Sequence, residues 1–152
     1  MEVSVADLNG RAVTIARSSR FRWRWMATRL HTFLVVGAFE AGSATAASLD
    51  AFLIDAVQYA IDHKGGLPRG LQTGTAAITV AVTDRIDPTA TEWATSVRGR
   101  RWAAMPYPVS IEVAEDRVTR PRRMIVGGIY ASHFARLVDD LITPAVRAPT
   151  AS

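Results

Sequence analysis

Between Ser48 and His63, apolar residues recur at three- and four-residue intervals: Leu49, Phe52, Leu53, Ala56, Val57, Ala60 and Ile61. That period gathers them on one stripe of an α-helix, with Asp55, Gln58 and Asp62 off the stripe. Ser48 is the expected N-cap, and Asp50 suits the positive end of the helix dipole. His63 and Lys64 fall in the last turn, Gly65-Gly66 ends it, and Pro68 lies beyond. A helix apolar on one side must bury that side against another layer.

The flanking segments supply β-type patterns for that layer. Val3 and Val5, then Val13 and Ile15, alternate around Asn9-Gly10, the favoured pair of a type I′ turn, which predicts a hairpin over residues 1–16. Ser18-Ser19 is expected to break this run. From 20 to 25, Arg20, Arg22 and Arg24 alternate with Phe21, Trp23 and Trp25, so a strand would turn the rings inward and the guanidinium groups outward. Leu30 to Gly37 is apolar enough for a central strand. Ala76 to Thr83 sets Ile78, Val80 and Val82 on one face and Thr79 and Thr83 on the other.

Asp87-Pro88 reads as the N-cap and first residue of a short helix reaching about Val97. Val109, Ile111 and Val113 alternate in a further strand, Glu115-Asp116 makes a hairpin turn, and Pro121 breaks the returning arm or confines it to an edge. Met124 to Val126 is expected to continue as strand, and Gly127-Gly128 to turn. A last helix runs to about Thr143 on the stripe Tyr130, Phe134, Leu137, Val138 and Leu141, and Pro144 ends it. His133 lies beside that stripe and is expected to face solvent.

Helices and strands interleave, with hairpins near both ends. The fold class is α+β (mixed α/β): a single domain with a mixed sheet of about five to seven strands, two longer helices and one short helix. Residues 1–25 form a hairpin plus the Arg/Trp strand, an extension of a core over 26–144, and 145–152 are a disordered tail.

The 152 residues suffice for one buried core, and 49% hydrophobic with 21% charged residues is the range of globular chains. There is no cysteine, which excludes disulfides, thiolate catalysis and cysteine-ligated zinc and favours a cytoplasmic location. The charge-free stretch Gly70 to Thr83 is too short to cross a bilayer, so no transmembrane segment is expected. Translation from Met26 would place a weak export-like pattern over 26–46, but His31 and Glu40 interrupt it, and Phe33 to Gly37 reads more simply as a buried strand.

The net charge is +4, with Lys64 the only lysine. Residues 1–29 carry six arginines against two acids and residues 98–123 seven against three, whereas 30–97 is net acidic. Two basic patches are expected, or one if the segments meet.

Catalytic patterns are scarce. His31, His63 and His133 share no metal-ligand spacing, and no Gly-x-Ser-x-Gly elbow occurs. Glu112, Glu115, Asp116, Asp139 and Asp140 are the carboxylates available for acid–base work. The two adjacent pairs among them read as a turn and a solvated helix face. No catalytic residue, metal site or cofactor is expected.

Two binding readings remain. The first is a non-enzymatic binding or assembly module that presents Arg20, Arg22, Arg24, Arg98, Arg100 and Arg101 beside aromatic residues to a protein or anionic partner. Self-association fits this reading; nucleic acid also fits, although without a supporting motif. The alternative is a small enzyme or small-molecule-binding protein. Its anion site would lie in the Gly66–Gly74 loop, where Arg69, Gln72 and Thr73 offer donors among three glycines at four-residue spacing.

Overall fold

In the computed structural model, strands β1 (Glu2–Leu8) and β2 (Arg11–Arg22) meet at Asn9-Gly10. The φ values there, 52° and 82°, are the left-handed pair that the type I′ turn needs. Asp7 Oδ1 accepts the Gly10 N–H at 2.8 Å and closes the turn. Residues 1–22, 28–65, 73–96, 104–123 and 128–142 are described, with the backbone alone at Arg22, Thr28, Thr73, Gly128 and Ile129.

The remaining elements are β3 (Thr28–Ala38), α1 (Ala46–His63), β4 (Thr73–Thr83), α2 (Pro88–Thr95), β5 (Ala104–Glu112), β6 (Arg117–Thr119) and α3 (Gly128–Leu141). The strands form one six-stranded sheet in sequential order. β2 pairs antiparallel with both β1 and β3, β3, β4 and β5 run parallel, and β6 turns back on β5. This is the mixed α+β architecture expected from the sequence, with two longer helices and one short one.

Side-chain alternation divides the core into two layers. On one face Val13, Ile15, Phe33, Val35, Ala77 and Ala81 pack under α1 and α2. The α1 residues involved are the seven of the sequence stripe, all buried. On the other face Leu30, Ile78, Val80, Tyr107 and Val109 meet Tyr130, Phe134 and Val138 of α3. Each large apolar side chain enclosed in this way contributes about 1.5–3 kcal/mol relative to exposure. Phe33 to Gly37 is the buried strand its composition implied.

Several expectations are corrected. The α1 N-cap is Thr45, not Ser48; Ser48 is the third helical residue and completes a reciprocal capping box with Thr45. Ser18-Ser19 does not break β2, because both residues remain paired with Thr32 and His31 of β3. Val113 falls in the turn after β5 and is 58% exposed. His133 is buried rather than solvent-facing, whereas Leu141 is exposed and Ile142 takes the inward position. His133 lies three residues after Tyr130 and four before Leu137, which puts it inside the stripe. Residues 124–126 and the 145–152 tail lie outside the described residues, as do Trp23 and Trp25.

Phe21 also departs from expectation, at 47% exposed. It shares the α1 side of the sheet with Arg17 and Ser19, but α1 has already ended near Arg17: the Arg17 guanidinium reaches the carbonyl of Lys64 at 2.8 Å. Four further residues of strand carry Phe21 about 14 Å beyond that cover.

Candidate functional site

Of the residues singled out in the sequence, Arg20 and Arg22 fall on β2, where Arg20 is exposed on the face opposite α1. Thr73 opens β4 and pairs with Arg29. Arg24, Arg69, Gln72, Arg98, Arg100 and Arg101 lie outside the described residues. The basic segment around Arg117, Arg120, Arg122 and Arg123 follows the opposite sheet edge, with β3, β4 and β5 between it and β2. At strand spacing that separation is about 19 Å, so Arg20 and this segment form no common patch.

The arrangement with most chemical content lies at the amino-terminal ends of β3 and β4. His31 sits on β3 between Ser19 of β2 and Thr75 of β4, on the side facing α1. Only 7% of it is exposed, and its Nδ1 is buried without a hydrogen-bond partner among the described residues. Orphaned polar atoms of this kind are uncommon, because an unmet buried group costs about 1–3 kcal/mol. Burial holds the His31 pKa below its ordinary 6.5, and the positive charges of Arg17, Arg29 and Lys64 lower it further. Near neutral pH the ring is therefore an uncharged imidazole in a basic field.

The surroundings are firmly built. Tyr59 and His63 stack at 3.8 Å in the last turns of α1, and His63 Nδ1 lies 2.9 Å from the Tyr59 carbonyl. Tyr59 meets Phe33 edge-on, and the Arg17 guanidinium lies 5.6 Å from the Phe33 ring centre. By donating to the Lys64 carbonyl, Arg17 also satisfies an end group of the helix. Gly65 then leaves the helix with φ +60°, and a Cβ there would lie 3.4 Å from the Arg17 guanidinium. Thus the chain enters the 66–72 segment beside Arg17 and returns at Thr73 and Thr75, opposite Arg29 and His31. The loop singled out in the sequence is rooted at both ends in this basic cluster.

A different concavity opens at the other end of the sheet. It holds about 890 Å³ and is lined by the Leu8–Ala12 hairpin tip, Phe39, Glu40, Ser43, Phe52 and Asp55 among others. Arg11, the one cation among its described lining residues, donates to the Ala38 carbonyl at 2.6 Å and lies over Phe39 at 3.7 Å. With Glu40 and Asp55 also on the wall, the cleft has the wrong sign for an anion.

Glu112 is likewise structural. It is almost wholly buried, and one oxygen accepts from Arg117 Nε at 2.8 Å and from an Arg117 terminal nitrogen at 2.5 Å. The other oxygen accepts the Ile86 N–H at 3.2 Å, so the carboxylate joins β5 to the segment entering α2. No group of three or more His, Asp or Glu side chains that could hold a metal ion occurs among the described residues. Nor is any helix among them long and apolar enough to cross a membrane.

Arg17 and His31 were not singled out in the sequence as an anion site. Their signal was weak there: one histidine in an apolar strand and one arginine at the end of a hairpin pattern. Only sheet register brings them to the roots of the glycine loop. No family model matches the chain, and no curated protein or solved structure matches it either.

Proposed function

We propose that this protein binds a small anionic ligand, one bearing a phosphate or carboxylate group, at the amino-terminal ends of β3 and β4. The observation that carries the reading is the His31 Nδ1, buried and without a partner among the described residues, in the field of Arg17, Arg29 and Lys64. An imidazole nitrogen donates to an anion either as the neutral Nδ1–H tautomer or after taking up a proton. Either state meets the unmet hydrogen-bonding capacity, and an anion relieves the repulsion that protonation would otherwise meet. The described residues on either side of the 66–72 segment, Gly65 beside Arg17 and Thr75 beside His31, lie in the same basic neighbourhood.

The arginine-edge module has less support. It depends on aromatic rings anchored beneath a cationic row, and Phe21, the one ring of that row among the described residues, is 47% exposed. Thermal-shift measurements with inorganic phosphate and citrate, against sodium chloride at matched ionic strength, test the anion reading. Stabilisation of the native chain that shrinks in both Arg17→Gln and Arg69→Ala is expected. No stabilisation, or the same stabilisation in both variants, would overturn it.

A further inference from the structure

The two edges of the sheet are treated very differently. β6 is three residues long, carries Arg117, and is followed by Arg120, Pro121, Arg122 and Arg123. Shortness, positive charge and proline are the usual means by which an edge strand is kept from pairing with another chain. β1 has none of them. It runs seven residues in unbroken register with β2, without a bulge, lysine, arginine or proline. Nothing pairs with its outer side among the described residues.

The turn fixes which backbone groups are open. A two-residue hairpin makes Leu8 and Arg11 the hydrogen-bonded pair next to the turn. Alternation then directs the N–H and C=O groups of Ala6, Ser4 and Glu2 toward β2, and those of Asp7, Val5 and Val3 outward. Val3 and Val5 are also 64% and 78% exposed, on the sheet face where the core under α3 includes no residue of β1 or β2.

We infer that β1 pairs antiparallel with β1 of a second copy of this chain, joining the two sheets across a twofold axis at Val5. Self-pairing about such an axis needs only that the strand be complementary to its own reverse, and β1 is. With Val5 opposite Val5, Val3 faces Asp7 of the other copy, Ser4 faces Ala6, and Glu2 faces Leu8. All seven residues pair and no like charges lie opposite each other. Glu2 and Asp7 project from opposite faces of the sheet, so they do not meet diagonally either. Pairing supplies partners for the outward groups of Val3, Val5 and Asp7, and shields both copies of Val5.

The test uses the full chain in sedimentation equilibrium. The expected mass is twice the 16.5 kDa of one chain, falling toward one chain on dilution. Val5→Pro removes an outward N–H and leaves the bonds to β2 intact, so it should give a monomer with unchanged circular dichroism. The chain has no cysteine, so Val5→Cys gives a single thiol per copy. Paired Cα atoms about 5.5 Å apart suit a disulfide or a short thiol-to-thiol reagent. Covalent dimer from Val5→Cys, with none from Thr14→Cys one strand inward, is the result expected. A native chain that stays monomeric at about 100 μM, a concentration at which a micromolar Kd gives mostly dimer, would overturn the inference. So would a dimer that survives Val5→Pro and gives no crosslink at position 5. Mass accounted for by a co-purified foreign chain would assign the edge to another occupant and equally overturn it.

Discussion

Removing either partner of the Glu112–Arg117 pair should destabilise the fold, and the two losses should be unequal. Glu112 is 1% exposed at its side chain and Arg117 is 53% exposed. In Glu112→Ala, Arg117 can turn its guanidinium to water, so the cost comes mainly from the Ile86 N–H left without an acceptor and from the cavity. An unmet buried donor costs about 1–3 kcal/mol, and partial collapse around the cavity keeps the total near ~2 kcal/mol. In Arg117→Ala the carboxylate stays buried and keeps only the Ile86 N–H. Stranding a buried charge costs about 3–5 kcal/mol; the remaining hydrogen bond places this case near the lower limit, ~3 kcal/mol. The double variant should fall well short of the sum, because its second substitution removes the group that the first had stranded. Urea denaturation of the native chain, both single variants and the double variant gives all four stabilities. Two single losses below about 0.5 kcal/mol, the range of ordinary surface substitutions, would refute the reasoning. A loss in Glu112→Ala exceeding that in Arg117→Ala would do so as well.

Three further outcomes follow from local geometry. At Gly37 a Cβ would lie 3.0 Å from the Phe52 ring and 3.2 Å from Arg11 Cδ, so Gly37→Ala should cost about 1–3 kcal/mol through overpacking, read as a fall in the urea midpoint. Thr45→Ala removes one half of the α1 capping box and should cost about 1 kcal/mol, again by urea denaturation. The lowered pKa of His31 means the unfolded chain binds its proton more readily. Stability should therefore fall as pH drops below about 6.5 toward the folded-state pKa, and His31→Gln should flatten that decline when unfolding is followed between pH 5 and 8.

Local patterns carried much of the fold. Seven apolar residues at helical spacing defined the buried face of α1, Asn9-Gly10 defined the first hairpin, and Asp87-Pro88 the start of α2, where Asp87 accepts the Thr89 N–H. What escaped local reading was decided across strands. Ser18-Ser19 looks like a break, yet β3 supplies its pairing partners. The alternation marks β5 only from Val109, yet the strand begins at Ala104 and passes through Pro106 and Pro108, at positions where β6 does not pair with it. Ser48 suits the cap role as well as Thr45 does by residue type, and only the reciprocal box between the two identifies Thr45 as the cap.

The candidate site was legible only in part. The glycine loop with Arg69, Gln72 and Thr73 pointed to anion chemistry, and its described roots do lie in a basic neighbourhood. His31 and Arg17 join that neighbourhood through register alone, since β2, β3 and β4 bring together residues separated by more than forty positions in the chain. No spacing rule within one segment could have paired Arg17 with Lys64. Phe21 illustrates the converse: its alternation predicts an inward ring, but α1 ends before reaching it.

The most direct test is an NMR titration of the His31 ring protons with and without inorganic phosphate, assigned by comparison with His31→Gln. Without phosphate the ring should titrate below 6.5, and phosphate should raise that midpoint, since anion binding and proton uptake favour each other. A His31 that titrates at the ordinary value and does not respond to phosphate would contradict the account.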